Sequence, residues 1–128
     1  MAEYMVLVDG KNDKAGVIEF KDDLQYFYGQ IGCRLVAMVP RRIGRKEYTI
    51  ICDEEGTFVD DPLISAIDNI GNGMFVGTLL VAGDVDNEGR QHGITKEEAM
   101  RILDRYVQKM STRLHPEPHW MLTNVEYA

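Results

Sequence analysis

The chain has 128 residues and a formal net charge of -7, with 45% hydrophobic and 27% charged residues. That length predicts one domain, 1–128, long enough to bury a single core. The acidic balance argues against binding nucleic acid or an anionic membrane through the overall field, and no segment reaches the roughly 18 apolar residues that a membrane span needs.

The opening Met1-Ala2-Glu3-Tyr4 lacks the basic start of a signal peptide, which points to the cytoplasm. Residues 4–8 are apolar and β-rich, a first strand. Asp9 to Lys14 is turn chemistry, and 16–20 reads as a second strand, which makes an N-terminal hairpin. Asp22 is placed to cap a short helix with Gln25 in the capping-box position. Leu24, Phe27, Tyr28 and Ile31 share one face of it, Gly29 weakens it, and Gly32 suits its stop.

Residues 33–39 read as a third strand ended by Pro40. A basic loop follows, with Arg41, Arg42, Arg45 and Lys46. Residues 47–53 are rich in β-formers, a fourth strand. The two cysteines, Cys33 and Cys52, each fall in a predicted strand and read as small buried hydrophobes in a reducing compartment. After the Glu54-Glu55-Gly56 turn, 57–59 continue as a short strand. Asp61 before Pro62 is an N-cap followed by a favoured first helical residue. Leu63, Ile64, Ile67 and Ile70 line one face of that second short helix, up to Gly71.

The stretch 74–114 organises the rest. Residues 74–85 read as one buried strand, in which Gly77 and Gly83 mark a bulge or a close backbone approach. Asp86-Asn87-Glu88-Gly89 is a tight acidic turn. Thr95 then caps a long amphipathic helix, 96–114, with Glu98 completing a capping box and Ile94 with Ala99 a staple. Ala99, Ile102, Leu103, Tyr106, Val107, Met110 and Leu114 keep the rhythm of one buried face, until Pro116 and Pro118 stop it. Residues 119–127 alternate as a final strand, suited to an edge or to pairing across the two-fold of a homodimer.

The expected fold is α+β. An antiparallel or mixed sheet of five to seven strands carries one long amphipathic helix packed on a face, with two short helices.

Chemistry is harder to locate. The turn that begins at Asp84 resembles a calcium loop, but its twelfth position is Thr95 rather than a carboxylate. His115 and His119 have the spacing that chelates metal on a helix, yet the two prolines forbid a helix there. There is no nucleophile elbow and no phosphate loop. The residues give no catalytic site, no metal and no cofactor.

Cations form the one unusual pattern. Arg101, Arg105, Lys109 and Arg113 are spaced by four, a stripe along the predicted helix. With Arg41, Arg42 and Arg45 of the basic loop they make a candidate anion-binding surface. Trp120, the single tryptophan, is a candidate interface anchor or stacking platform; closing the core edge is its alternative role.

Several pieces stand in a telling order: Ile50-Ile51-Cys52-Asp53-Glu54-Glu55-Gly56, Gly77-Thr78-Leu79-Leu80-Val81-Ala82-Gly83, Asp86-Asn87-Glu88-Gly89, and Ile94-Thr95-Lys96-Glu97-Glu98. They resemble the family known as domain of unknown function 3846, over roughly residues 24–106. These are fold motifs, and the basic loop and the tail beyond Met110 depart from the family pattern. The resemblance implies a phage or mobile-element accessory protein and brings no activity or catalytic residues. The expected function is therefore a non-enzymatic binding protein that occupies a host component, such as a defence protein. The alternative is a small-ligand binder that sequesters an anionic nucleotide on the basic stripe.

Overall fold

The computed structural model describes residues 2–56 and 61–128; the short strand expected at 57–59 lies outside them. The N-terminal hairpin forms as the turn chemistry predicts. β1 (Tyr4–Asp9) pairs antiparallel with β2 (Lys14–Glu19), from Tyr4 opposite Glu19 to Asp9 opposite Lys14. Asp9 accepts hydrogen bonds from the Asn12 backbone and side chain, which fixes the turn.

Helix α1 (Leu24–Ile31) starts one residue later than its cap pattern suggests. Asp23, not Asp22, is the N-cap and accepts from Gln25 N. Gly32 ends the helix in the left-handed conformation at φ 79, its N–H donating to the Tyr28 carbonyl, the conformation for which glycine is the natural stop. Of the expected apolar face, Phe27 is fully buried, whereas Leu24 is 51% exposed.

β3 (Val36–Ile43) and β4 (Lys46–Asp53) form a second hairpin. Two expectations fail here. Cys33 precedes the strand, and Pro40 lies within it instead of ending it. The reason is the neighbour on the other side. The last strand of the chain covers β3 only from Arg41 to Ile43. At Pro40 the strand is an edge, where a missing N–H is tolerated. The expected basic loop is thus mostly strand, closed by the two-residue turn Gly44-Arg45 with Gly44 at φ 68.

The segment expected as a helix after Asp61 is instead β5 (Ile64–Ile67). Asp61 sits at φ 53, which is no N-cap geometry, and the β-branched residues pair across two strands. The single strand expected at 74–85 is two, β6 (Gly73–Val76) and β7 (Leu79–Ala82). Gly77, at φ 78, breaks the run and sends the halves into different sheets. The acidic turn forms as read: Val85 bridges Gln91, and Asp86 accepts from the Glu88 and Arg90 amides.

Helix α2 (Lys96–Tyr106) begins at the predicted cap, with Thr95 accepting from Glu98 N. It is shorter than expected. The chain passes directly into β8 (Val107–Met110), which pairs with β9 (His119–Leu122). Leu114, placed on the buried helix face by periodicity, is 79% exposed. The expected tail strand is likewise two, β9 and β10 (Val125–Tyr127), turned at Asn124 with φ 57. Both pair within the chain.

The architecture is α+β with two sheets. Six antiparallel strands run in the order β10-β3-β4-β7-β1-β2, and four mixed strands in the order β6-β5-β9-β8, in which β5 and β9 are parallel. Alternation along β1, β4 and β7 sends Met5, Ile51 and Leu80 to one face, with Phe27 of α1. It sends Val6, Ile50 and Val81 to the other, with Ala99 and Ile102 of α2 and Ala66 and Leu122 of the smaller sheet. No helix among the described residues is long and apolar enough to cross a membrane.

Candidate functional site: a basic hairpin end and a cleft

The β3–β4 hairpin carries its cations to opposite faces, because side chains alternate along a strand. Arg41 turns toward the core side. Its guanidinium lies 4.7 Å from the Tyr127 ring centre and 5.3 Å from that of Phe75, the geometry of a cation–π stack. Its Nη1 donates to the Pro40 carbonyl at 2.8 Å. Arg42 faces the other way, opposite Glu126 in register and 3.9 Å from Glu47. Arg45 is exposed in the turn.

Helix and hairpin meet at Glu98. Its carboxylate does not return to the helix cap. Oε2 instead accepts from Lys46 Nζ and from the Tyr48 hydroxyl, each at 2.7 Å, and lies 3.9 Å from Arg101. Tyr106, at the end of α2, packs its hydroxyl against Gly44, where a Cβ would approach to 2.8 Å. One cation of the predicted helix stripe and one of the predicted basic loop therefore share a single carboxylate. Counting the turn end of the hairpin, residues 41–48, with its direct neighbours gives five cations (Arg41, Arg42, Arg45, Lys46, Arg101) against three carboxylates (Glu47, Glu98, Glu126), in a chain whose net charge is -7.

The rest of the stripe is dispersed. Arg105 is exposed in the last turn of α2. Lys109 lies on β8, ion-paired with Asp13 at 2.8 Å and 5.3 Å from the centre of the Trp120 ring, its cross-strand partner. Arg113 is exposed in the turn beyond. Trp120 is half-buried and packs against the core. A continuous row of four phosphate-holding cations does not form, because the helix that would align them stops at Tyr106.

At the opposite end of β4 is a feature the sequence did not signal. A cavity of about 410 Å³ opens between the end of α1, the ends of β1 and β4, and the start of β5. Lys11, Asp53, Ser65 and His115 line it. A second groove, of about 520 Å³, adjoins it across Gly10 and Leu63 and reaches His119 and Lys109. His115 Nε2 is 2.8 Å from Asp61 Oδ1, and His119 Nε2 donates to the Ile64 carbonyl at 2.8 Å. The Ser65 hydroxyl and His115 Nδ1 are buried with no hydrogen-bond partner among the described residues. These groups come from four distant parts of the chain, so no spacing could have announced them.

Nucleophilic thiol chemistry finds no support. Burial pushes the Cys52 thiol up to about 11 and raises Cys33 as well, which leaves little thiolate at neutral pH. Among the described residues, no three His, Cys, Asp or Glu side chains converge as a metal site would require.

A family model described as Domain of unknown function (DUF3846) matches residues 3–107. No curated protein and no solved structure matches the chain.

Proposed function

We propose, from the premise that this chain belongs to the family Domain of unknown function (DUF3846), a role in binding rather than turnover. The protein, of phage or mobile-element origin, works in the cytoplasm by occupying an acidic face of a host protein, such as a defence component. What supports this reading is the hairpin end, where Lys46 and Arg101 converge on Glu98 and five cations face three carboxylates. Arginine and tyrosine, the residue types that dominate contact energies, are both presented there: Arg42 and Arg45 are exposed, and Tyr127 is 73% exposed. An acidic protein surface fits better than nucleic acid, because the field of a chain at -7 repels a long polyanion.

The test is affinity capture from host lysate with the natural chain and with an Arg42→Glu/Arg45→Glu variant. The expected result is one host protein held by the natural chain, released by added salt and lost with the variant. Equal capture by both, or measured conversion of a substrate by the purified protein, overturns the reading.

A further inference from the structure

The cavity beyond Asp53 lies away from that docking surface. Seven residue steps of β4, from Lys46 to Asp53, separate the two by roughly 23 Å. We propose that this cavity binds a small zwitterion, a free α-amino acid with an aliphatic side chain.

The charges define the class. Lys11 follows the end of β1 and Asp53 closes β4. β7 runs between those strands, so their ends stand roughly 10 Å apart. Neither side chain has an ion-pair partner among the described residues, and the Asp53 carboxylate accepts one local hydrogen bond, from Glu55 N at 2.9 Å. Asp61, the other carboxylate on the wall, is engaged with His115. An ammonium pole and a carboxylate pole thus face one cavity across the gap of one strand. A ligand with both charges satisfies both poles through charge-assisted hydrogen bonds. A phosphate ester meets Asp53 and Asp61 as like charges.

The walls narrow it further. Ile31 and Leu63 supply aliphatic surface. Among the described residues, no aromatic ring other than imidazole lines the cavity, so these walls offer a nucleobase no stacking platform of the kind that holds it elsewhere. Ser65 is 2% exposed, lines the cavity, and its hydroxyl has no partner among the described residues. A buried hydroxyl left so is rare, and a bound polar group supplies the missing partner. The volume, about 410 Å³, is within the range of small-molecule sites.

Thermal-shift measurements on the full chain test this, with free leucine as probe. Leucinamide lacks the carboxylate, isocaproate lacks the ammonium, and adenosine serves as the nucleoside control. Leucine is expected to raise Tm, and each one-ended analogue to raise it less. Lys11→Ala should erase the difference between leucine and leucinamide. Asp53→Asn should erase the difference between leucine and isocaproate. Arg42→Glu/Arg45→Glu should leave all the shifts unchanged, so failure here is distinct from failure of the docking surface. No shift with leucine at millimolar concentration, equal shifts for leucine and leucinamide, or a larger shift with adenosine overturns the proposal.

Discussion

Glu98, on the first turn of α2, accepts a hydrogen bond from the hydroxyl of Tyr48, on β4, fifty residues away in sequence, at 2.7 Å. The glutamate is 9% exposed and the tyrosine 4%, so this contact ties helix to sheet from the inside. Burial pushes the Glu98 carboxyl up, but hydrogen bonds from Lys46 and Tyr48 outweigh it and hold the group below the ordinary carboxylate range. A lowered folded-state pKa contributes stability above the ordinary value and loses it as pH falls through the lowered one. Glu98→Gln should therefore cost about 1–3 kcal/mol at neutral pH, and Tyr48→Phe about 1 kcal/mol. In acid the Glu98→Gln difference should shrink. Urea unfolding at the two pH values checks both; a Glu98→Gln penalty that is the same in acid contradicts the assignment.

His92 bridges two carboxylates. Its Nε2 is 2.8 Å from Asp86 and its Nδ1 3.1 Å from Glu3. The hydrogen bond to Asp86, then that to Glu3, raises the imidazole pKa above 6.5, its ordinary value. A raised folded-state pKa contributes stability that is complete below the ordinary value and is lost as pH rises through the raised one. Melting temperature should fall across that window in the natural chain and stay flatter in His92→Gln. Proton NMR titration of the imidazole reads the same shift directly, and a midpoint at or below the ordinary value would refute it.

Two glycines should respond in opposite directions. A Cβ on Gly83 would collide with the carbonyl oxygen of Gly93, a backbone atom that cannot swing aside. Gly83→Ala should cost at least the about 1–3 kcal/mol typical of overpacking. A Cβ on Gly29, within α1, would meet nothing within 4 Å beyond its chain neighbours and the helix's own backbone, and Gly29→Ala should gain roughly 0.5–1 kcal/mol from helix propensity. Denaturant midpoints of the two variants, moved to opposite sides of the natural chain, are the expected result.

The Arg41 stack offers a fourth measurement. A double-mutant cycle with Arg41→Met and Tyr127→Ala should return a coupling of about 0.5–1 kcal/mol, the value for a cation–π pair near solvent. Coupling indistinguishable from zero would mean that the ring and the guanidinium are neighbours without attraction.

Local chemistry was legible wherever the chain answers to its immediate neighbours. The Asp9 turn, the Gly32 stop and the Thr95 cap are each decided within a few residues, and each is where the sequence indicates. The two segments misread as helix share one cause. Ile64 and Ile67, and likewise Val107 and Met110, keep helical spacing, yet both segments are strands because a partner far along the chain pairs with them: Ala66 with Leu122, and Val107 again with Leu122. Tertiary pairing overrides local periodicity there. The same separation hid the cavity. Lys11, Asp53, Ser65 and His115 become neighbours only once both sheets are assembled.

The carbonyl of Tyr106, at the helix-to-strand joint, receives both the backbone N–H and the hydroxyl of Thr123, at 2.6 and 3.0 Å. Thr123 lies between β9 and β10, where the chain leaves the smaller sheet for the larger. That one oxygen acts as a rivet through which three elements are clamped. Removing everything after Val107 would strip β5 of its inner neighbour, unclasp β3 and leave a lone β5–β6 ribbon, too few strands to stand in water. The final twenty-one residues are thus architecture for both sheets, and trimming them would dismantle the scaffold that holds the hairpin and the cavity apart.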